Sequence, residues 1–146
     1  MRKTILDPEA GDELLEDSDV DGTAYSRGVA VELDGYTRVF LSGVTPVEAA
    51  DGSVEAQTRE VLETIQSLLA DRDGTMRDVV RIRVYVEDVS EPEFETIHRV
   101  RGEFFDREHL PASALIEVEG IVRGDVEIEI EAIVPEDGWD VEHVRP

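Results

Sequence analysis

The segment Asp125–Val134, with the sequence DVEIEIEAIV, constrains the fold more than any other part of the chain. Apolar side chains occupy every second position, and between them lie Glu127, Glu129 and Glu131. Successive side chains of a strand point to opposite faces, so this alternation predicts a strand with one buried face. Neighbouring glutamates on its other face lie about 7 Å apart. Either that face is a solvated acidic surface, or one glutamate points into a pocket and transfers protons.

The remaining sequence predicts the element order strand, strand, helix, strand, helix, strand, strand. Asp34-Gly35 joins the first two β-rich runs and predicts a tight hairpin turn, because both residues can adopt a positive φ. Ser53 is expected to cap a helix that runs to about Asp71, and residues 90–93 (SEPE) predict a capping box that opens a second helix. Two helices cannot cover both faces of such a sheet, so we predict an α+β fold with both helices on one face. The other face is then expected to form a subunit interface.

Acidic residues dominate the composition. The chain has 36 Asp and Glu against 14 Lys and Arg, which gives a formal net charge of −22, and its only lysine is Lys3. This balance is typical of proteins adapted to high salt, where screening weakens the repulsion between carboxylates, so we infer a halophilic source. The same negative field repels phosphate backbones, and we therefore expect no nucleic-acid partner.

The length of 146 residues predicts a single domain, residues 23–146, after an acidic N-terminal arm, residues 1–22. In that arm Asp17–Gly22 matches only the first half of a calcium loop, so a solvated arm is the preferred interpretation. The chain has no cysteine, no helical pair of histidines and no glycine-rich phosphate loop, so we expect neither a metal nor a cofactor. With no long apolar run and no signal peptide, we expect no membrane partner and a cytoplasmic location.

Three stretches of the sequence resemble the Rid family of reactive intermediate deaminases, also called YjgF and formerly labelled endoribonuclease L-PSP. The most specific parts are Pro111-Ala112 and the ending VEIEIEAI. The resemblance implies a chorismate-mutase-like fold, a homotrimer with three clefts between subunits, and the hydrolysis of 2-imino and enamino acids to 2-keto acids and ammonia. The stretches, from about residue 24 to 134, are AYSRGVAVELDGYTRVFLSGVTPV, VRIRVYVEDVSEPEFETIHRVRGEFF and PASALIEVEGIVRGDVEIEIEAI.

The same resemblance implies a set of site residues, position by position, for a small-molecule ligand. Glu129 falls at the glutamate that positions water in the family, and Tyr25 falls at the tyrosine of the cleft. Gly43 falls at the glycine whose backbone lines the pocket. Leu115 falls where a main-chain amide meets the ligand, and His98 stands where many members have asparagine.

Ser113 departs from the family pattern. The imine deaminases have at this position an arginine that binds the substrate carboxylate as a fork, whereas serine carries no charge. The resemblance therefore implies an arginine-lacking subgroup, in which Arg27, Arg99 and Arg123 either reach the cleft or, more simply, serve as surface ion-pair partners. Two functions remain: a hydrolase or deaminase acting on an imine, enamine or related C–N compound, with water placed by Glu129, and a non-catalytic binding or regulatory trimer.

Overall fold

A computed structural model describes all 146 residues, Met1 to Pro146. It contains a six-stranded mixed sheet, two α-helices and three short 3-10 turns. The strand order across the sheet is β1-β2-β3-β6-β4-β5, and only the β4–β5 pair is parallel. The elements are β1 (Arg2–Leu6), β2 (Gly28–Leu33), β3 (Tyr36–Val44), α1 (Val54–Ala70), β4 (Val79–Val86), α2 (Glu91–Arg101), β5 (Ala112–Glu117) and β6 (Val126–Pro135), with 3-10 turns at Asp12–Leu15, Met76–Asp78 and Arg107–His109.

Strand β6 occupies the centre of the sheet, between β3 and β4. Its apolar residues Val126, Ile128 and Ile130 are almost fully buried, together with Leu62 of α1 and Ile97 of α2. The glutamates of β6 point to the opposite face, as the alternation predicts. Both helices pack on the apolar face, which confirms the predicted α+β architecture.

Two of the three predicted turn and cap motifs are present. The Ser53 hydroxyl accepts a hydrogen bond from the N–H of Ala56 and caps α1. The hairpin turn at Asp34-Gly35 also forms, but only the glycine has a positive φ, at 86°. The capping box predicted for α2 is wrong, because the side chain of Ser90 makes no capping hydrogen bond. A proline in the first turn remains as the start signal of this helix.

The N-terminal segment differs from the predicted arm. Strand β1 pairs antiparallel with β2 at the edge of the sheet, and Leu6 packs against the core. The Thr23 N–H donates to Asp12 Oδ1, and the Thr23 hydroxyl donates to the carbonyl of Ala10, both at 2.9 Å. Strand β1 is therefore part of the sheet and Ala10 is buried, whereas most side chains of residues 11–22 are exposed. The sequence did not predict β1 because an edge strand with mostly exposed side chains lacks a strong apolar alternation.

Glu13 and Leu14 of the first 3-10 turn line a cavity with Glu127 of the sheet face opposite the helices, here called the open face. Its apolar side chains are mostly half-buried by their neighbours on the sheet. The side chains on this face include Val29, Val31, Phe40, Arg83, Tyr85, Glu127, Glu129, Glu131 and Ile133.

Neither helix combines the length and the hydropathy that a membrane span needs.

Candidate functional site

Glu129 lies on the open face at the centre of the sheet, opposite Arg83 of β4. Its carboxylate accepts a hydrogen bond from the Tyr85 hydroxyl at 2.9 Å and one from Arg83 Nη1 at 3.4 Å. The hydrogen bond to Glu129, reinforced by burial, raises the pKa of Tyr85, so this phenol remains a donor at neutral pH. Glu129 is thus held by two donors and has lone pairs left for a further partner such as water.

Tyr25 and Gly43 line one cavity of about 160 Å³, which we call the tyrosine pocket. Arg27 and Glu127 line it as well. Arg27 Nη2 donates to the carbonyls of Ser42 and Gly43, both at 2.7 Å. Arg27 is therefore bound to the main chain, and its predicted role as a surface ion-pair partner is wrong.

Glu127 is the member of the glutamate row that enters the tyrosine pocket. A β-bulge in β3 brings Gly43 under its side chain, so that a Cβ at Gly43 would lie 2.7 Å from the Glu127 carboxyl carbon. Partial burial raises the pKa of Glu127, repulsion from Glu129 raises it further, and Arg27 offsets part of this effect. Strict alternation gives every glutamate of the row the same environment, so the sequence could not single out Glu127. In the structure, Glu127 is the one that lines the pocket.

Arg99 and Arg123 form ion pairs, which agrees with their predicted role as ion-pair partners. Arg99 lies 3.7 Å from Glu55 and Arg123 lies 3.3 Å from Glu13. The second pair links two parts of the rim of the tyrosine pocket. Arg123 therefore also reaches the tyrosine pocket, whereas Arg99 lines neither pocket.

His98 lies in a second cavity of about 460 Å³, which we call the arginine pocket. Arg101 also lines it, and its Nη2 donates to the Ser113 hydroxyl at 3.0 Å. Burial, with a smaller contribution from Arg101, lowers the pKa of His98, so its imidazole is neutral at neutral pH. Arg101 is not among the site residues predicted from the sequence. Helical periodicity could have found it, because Arg101 follows Ile97 by four residues and so lies on the buried stripe of α2.

The predicted site residues do not converge on one pocket of a single chain. Strand β5 directs Ser113 and Leu115 to the helix-covered face, whereas β6 directs Glu129 to the open face. The Leu115 side chain packs against the core, and the ligand contact of its main chain stays a prediction. No group of three or more histidine, aspartate or glutamate side chains has the spacing to hold a metal. Glu129 lies on the open face, Tyr25 and Gly43 share the tyrosine pocket, and His98 lines the arginine pocket. Ser113 is linked to that pocket through its hydrogen bond with Arg101.

Known proteins share both the sequence pattern and the fold. The family model described as Endoribonuclease L-PSP matches residues 21–136. A RutC family protein of Pyrococcus horikoshii is 35% identical over 100 residues, which cover 65% of this chain and 76% of that protein. The 3-aminoacrylate deaminase RutC of Acinetobacter baylyi is 33% identical over the same shares of both chains.

Solved structures agree with the sequence comparison. A member of the YjgF/YER057c/UK114 family from Mycobacterium tuberculosis superposes with a TM-score of 0.72 at 28% identity, covering 91% of this chain and all of that one (100%). RidA from the Antarctic bacterium Psychrobacter gives a TM-score of 0.67 at 25% identity, with the same coverage. These likenesses confirm the predicted chorismate-mutase-like fold.

Proposed function

Because the chain belongs to the endoribonuclease L-PSP family, the Rid family of the sequence resemblance, we propose that it is a small-molecule hydrolase that releases ammonia from an imine, an enamine or a related C–N compound. The observation that carries the proposal is the Glu129 carboxylate, held on the open face by Tyr85 and Arg83. The relative from Acinetobacter baylyi supports it, since the 3-aminoacrylate in its name is an enamine.

In the proposed reaction, Glu129 positions a water molecule against the carbon of a protonated imine. As the water oxygen bonds to this carbon, Glu129 accepts a water proton and the C=N electron pair moves to nitrogen. The proton then passes from Glu129 to the amine nitrogen of the resulting carbinolamine. The carbon–nitrogen bond breaks and a carbonyl forms as the hydroxyl proton passes to the departing ammonia, so that protonated imine and water give a carbonyl compound and ammonium. Tyr85 keeps Glu129 oriented through both proton transfers.

We also propose that three copies assemble and complete the site between them. Each chain carries the tyrosine pocket and the arginine pocket as separate cavities, and a cleft between subunits can join one of each. The half-buried apolar side chains of the open face, such as Val31, Phe40 and Ile133, supply a surface that an assembly would cover. Light scattering in molar salt should report about three chains per particle. A clean monomer would contradict the shared cleft.

Adaptation to high salt is proposed from the net charge of −22. Lowering the salt from 1 M to 0.1 M lengthens the Debye length from about 3 Å to about 10 Å, so carboxylates repel one another over longer distances. The thermal midpoint should therefore fall as salt is removed, which melts across this range can measure. The same midpoint at both salt concentrations would argue against the adaptation.

The direct test of the activity is to generate iminopyruvate in situ and to measure pyruvate release with and without the protein. Release faster than the spontaneous hydrolysis is expected. 3-Aminoacrylate tests the same reaction at its C3, because its imine tautomer hydrolyses to malonic semialdehyde and ammonia, so ammonia release is measured for this compound. If neither compound is hydrolysed faster than in buffer, the proposed activity fails for these substrates.

The second candidate function is a non-catalytic binding or regulatory trimer. The observation in its favour is Ser113, which leaves strand β5 without the charged group that binds substrate in the imine deaminases. This candidate predicts tight binding of a small molecule near the arginine pocket with no release of ammonia. Calorimetry combined with the pyruvate assay separates the two functions.

A further inference from the structure

Among the fully buried polar or charged residues, only Arg101 has a side-chain nitrogen without a hydrogen-bond partner; the half-buried Arg27 has one as well, at Nε. The structure buries four such residues, and three of them are satisfied: Gln57, Thr58 and Asp78. Arg101 is only 8% exposed, its Nη2 reaches the Ser113 hydroxyl, and its Nη1 has no hydrogen-bond partner. A buried charged donor without an acceptor is costly, so this position calls for an anion.

No carboxylate of the chain fills that place. None of the ion pairs in the structure includes Arg101, although the chain has 36 acidic residues. Burial lowers the pKa of Arg101, and no acidic neighbour offsets this effect. The guanidinium nevertheless stays charged at any physiological pH, because an arginine titrates only far above neutrality.

The surroundings of Arg101 form a site of suitable size and chemistry. The arginine pocket has a volume of about 460 Å³, and the charged residues that line it, Arg101 and Arg107, are both basic. Phe105, Leu110 and Pro111 supply apolar walls. An excess of positive charge in a chain of net charge −22 favours an anion, and the apolar walls favour one with a carbon skeleton.

We propose that Arg101, oriented by the Ser113 hydroxyl, binds the carboxylate of a small organic acid in the arginine pocket. The Ser113 bond fixes one arm of the guanidinium and leaves Nη1 for the ligand. The cation absent from β5 is then supplied by the last turn of α2. Carboxylate binding stands independently, and only the identification of this acid as the substrate rests on the proposed function. The family arginine at position 113 is thus replaced by a different residue rather than lost.

The test compares three probes with the full-length protein at one fixed salt concentration. Pyruvate carries the carboxylate, pyruvamide is its neutral counterpart, and inorganic phosphate is an anion without a carbon skeleton. Calorimetry should show that pyruvate binds about tenfold or more tightly than pyruvamide, the range expected for hydrogen bonds to a charged group. Equal affinities for pyruvate and pyruvamide would overturn the proposal. Phosphate binding as tight as that of pyruvate would overturn the organic-acid assignment.

Two variants of the site make the test specific. Arg101→Met keeps an apolar stem of similar length and should remove the preference for pyruvate over pyruvamide. Arg99→Met is the matched control, because Arg99 lies on the same helix but is exposed and paired with Glu55. Its preference should equal that of the wild type. If Arg99→Met loses the preference to the same extent as Arg101→Met, the assignment to Arg101 is overturned.

Ser113→Asp tests the site even if Arg101→Met does not fold. It places a carboxylate within reach of Arg101, so the thermal midpoint should rise and pyruvate binding should be lost. Wild-type pyruvate binding by Ser113→Asp would overturn the proposal. The pyruvate assay separates this inference from the proposed function. Selective pyruvate binding without hydrolysis would contradict only the proposed hydrolase activity. Hydrolysis without selective pyruvate binding would contradict only the proposed carboxylate site at Arg101.

Discussion

Glu129→Gln is expected to reduce imine hydrolysis by about a hundredfold or more, the range attributed to general acid–base catalysis by a positioned side chain. The amide keeps the shape of the carboxylate and can still accept the hydrogen bond from Tyr85, so the fold should be retained. It cannot accept a proton from water at neutral pH, which removes the proposed base. Initial rates of pyruvate release, compared at equal amounts of folded protein, measure the loss.

The neighbouring glutamates Glu127 and Glu131 provide controls, and the two are expected to differ in their effect on the rate. Glu131→Gln should change the rate by less than about threefold, because Glu131 lies on the same face but outside both pockets. Glu127→Gln should have an intermediate effect, since Glu127 enters the tyrosine pocket next to Gly43. A larger loss in Glu127→Gln than in Glu129→Gln would show that Glu127 is the base. Equal behaviour of all three variants would mean that the row is only a charged surface.

The central part of the fold follows from the sequence, because it depends on local alternation and helical periodicity. The buried side chains of β6 and the Ser53 cap are properties of short segments, and the structure has them as predicted. Strand β1 was missed because its stability comes from pairing with β2 rather than from its own apolar pattern. The failed capping box at Ser90 has a similar cause. Its residue types permit the motif, but the side chain makes no such bond.

The site was less predictable, because it depends on contacts between residues far apart in the chain. The resemblance supplied Tyr25 and Gly43, which do share a pocket. At position 113 the family pattern has arginine and this chain has serine, and this difference taken alone predicts that the site has lost a positive charge. Only the packing of α2 beside β5 shows that Arg101 reaches Ser113. A positive charge can thus be supplied by a residue of a different segment, here α2 instead of β5, because the two positions are neighbours in space. The sequence pattern of each segment alone does not reveal such a replacement.

Ile130→Ala is expected to lower the free energy of unfolding by about 2–5 kcal/mol, the usual cost of truncating a buried isoleucine. Ile130 is 1% exposed and lies between Leu41 of β3 and Ile82 of β4, both themselves buried. These neighbours belong to paired strands and cannot collapse easily into the cavity, which favours the upper part of this range. Urea unfolding in molar salt, at one fixed protein concentration, measures the change.

Ile116→Ala is the matched control for this prediction, because it removes the same atoms from an isoleucine that is 38% exposed on the edge strand β5. Its cost should stay below about 1 kcal/mol. Equal losses in the two variants would contradict the central position of β6. If the prediction holds, Ile130→Ala protein that remains folded in high salt should still hydrolyse imines, because Ile130 anchors the strand from the helix-covered face while Glu129 acts from the open face.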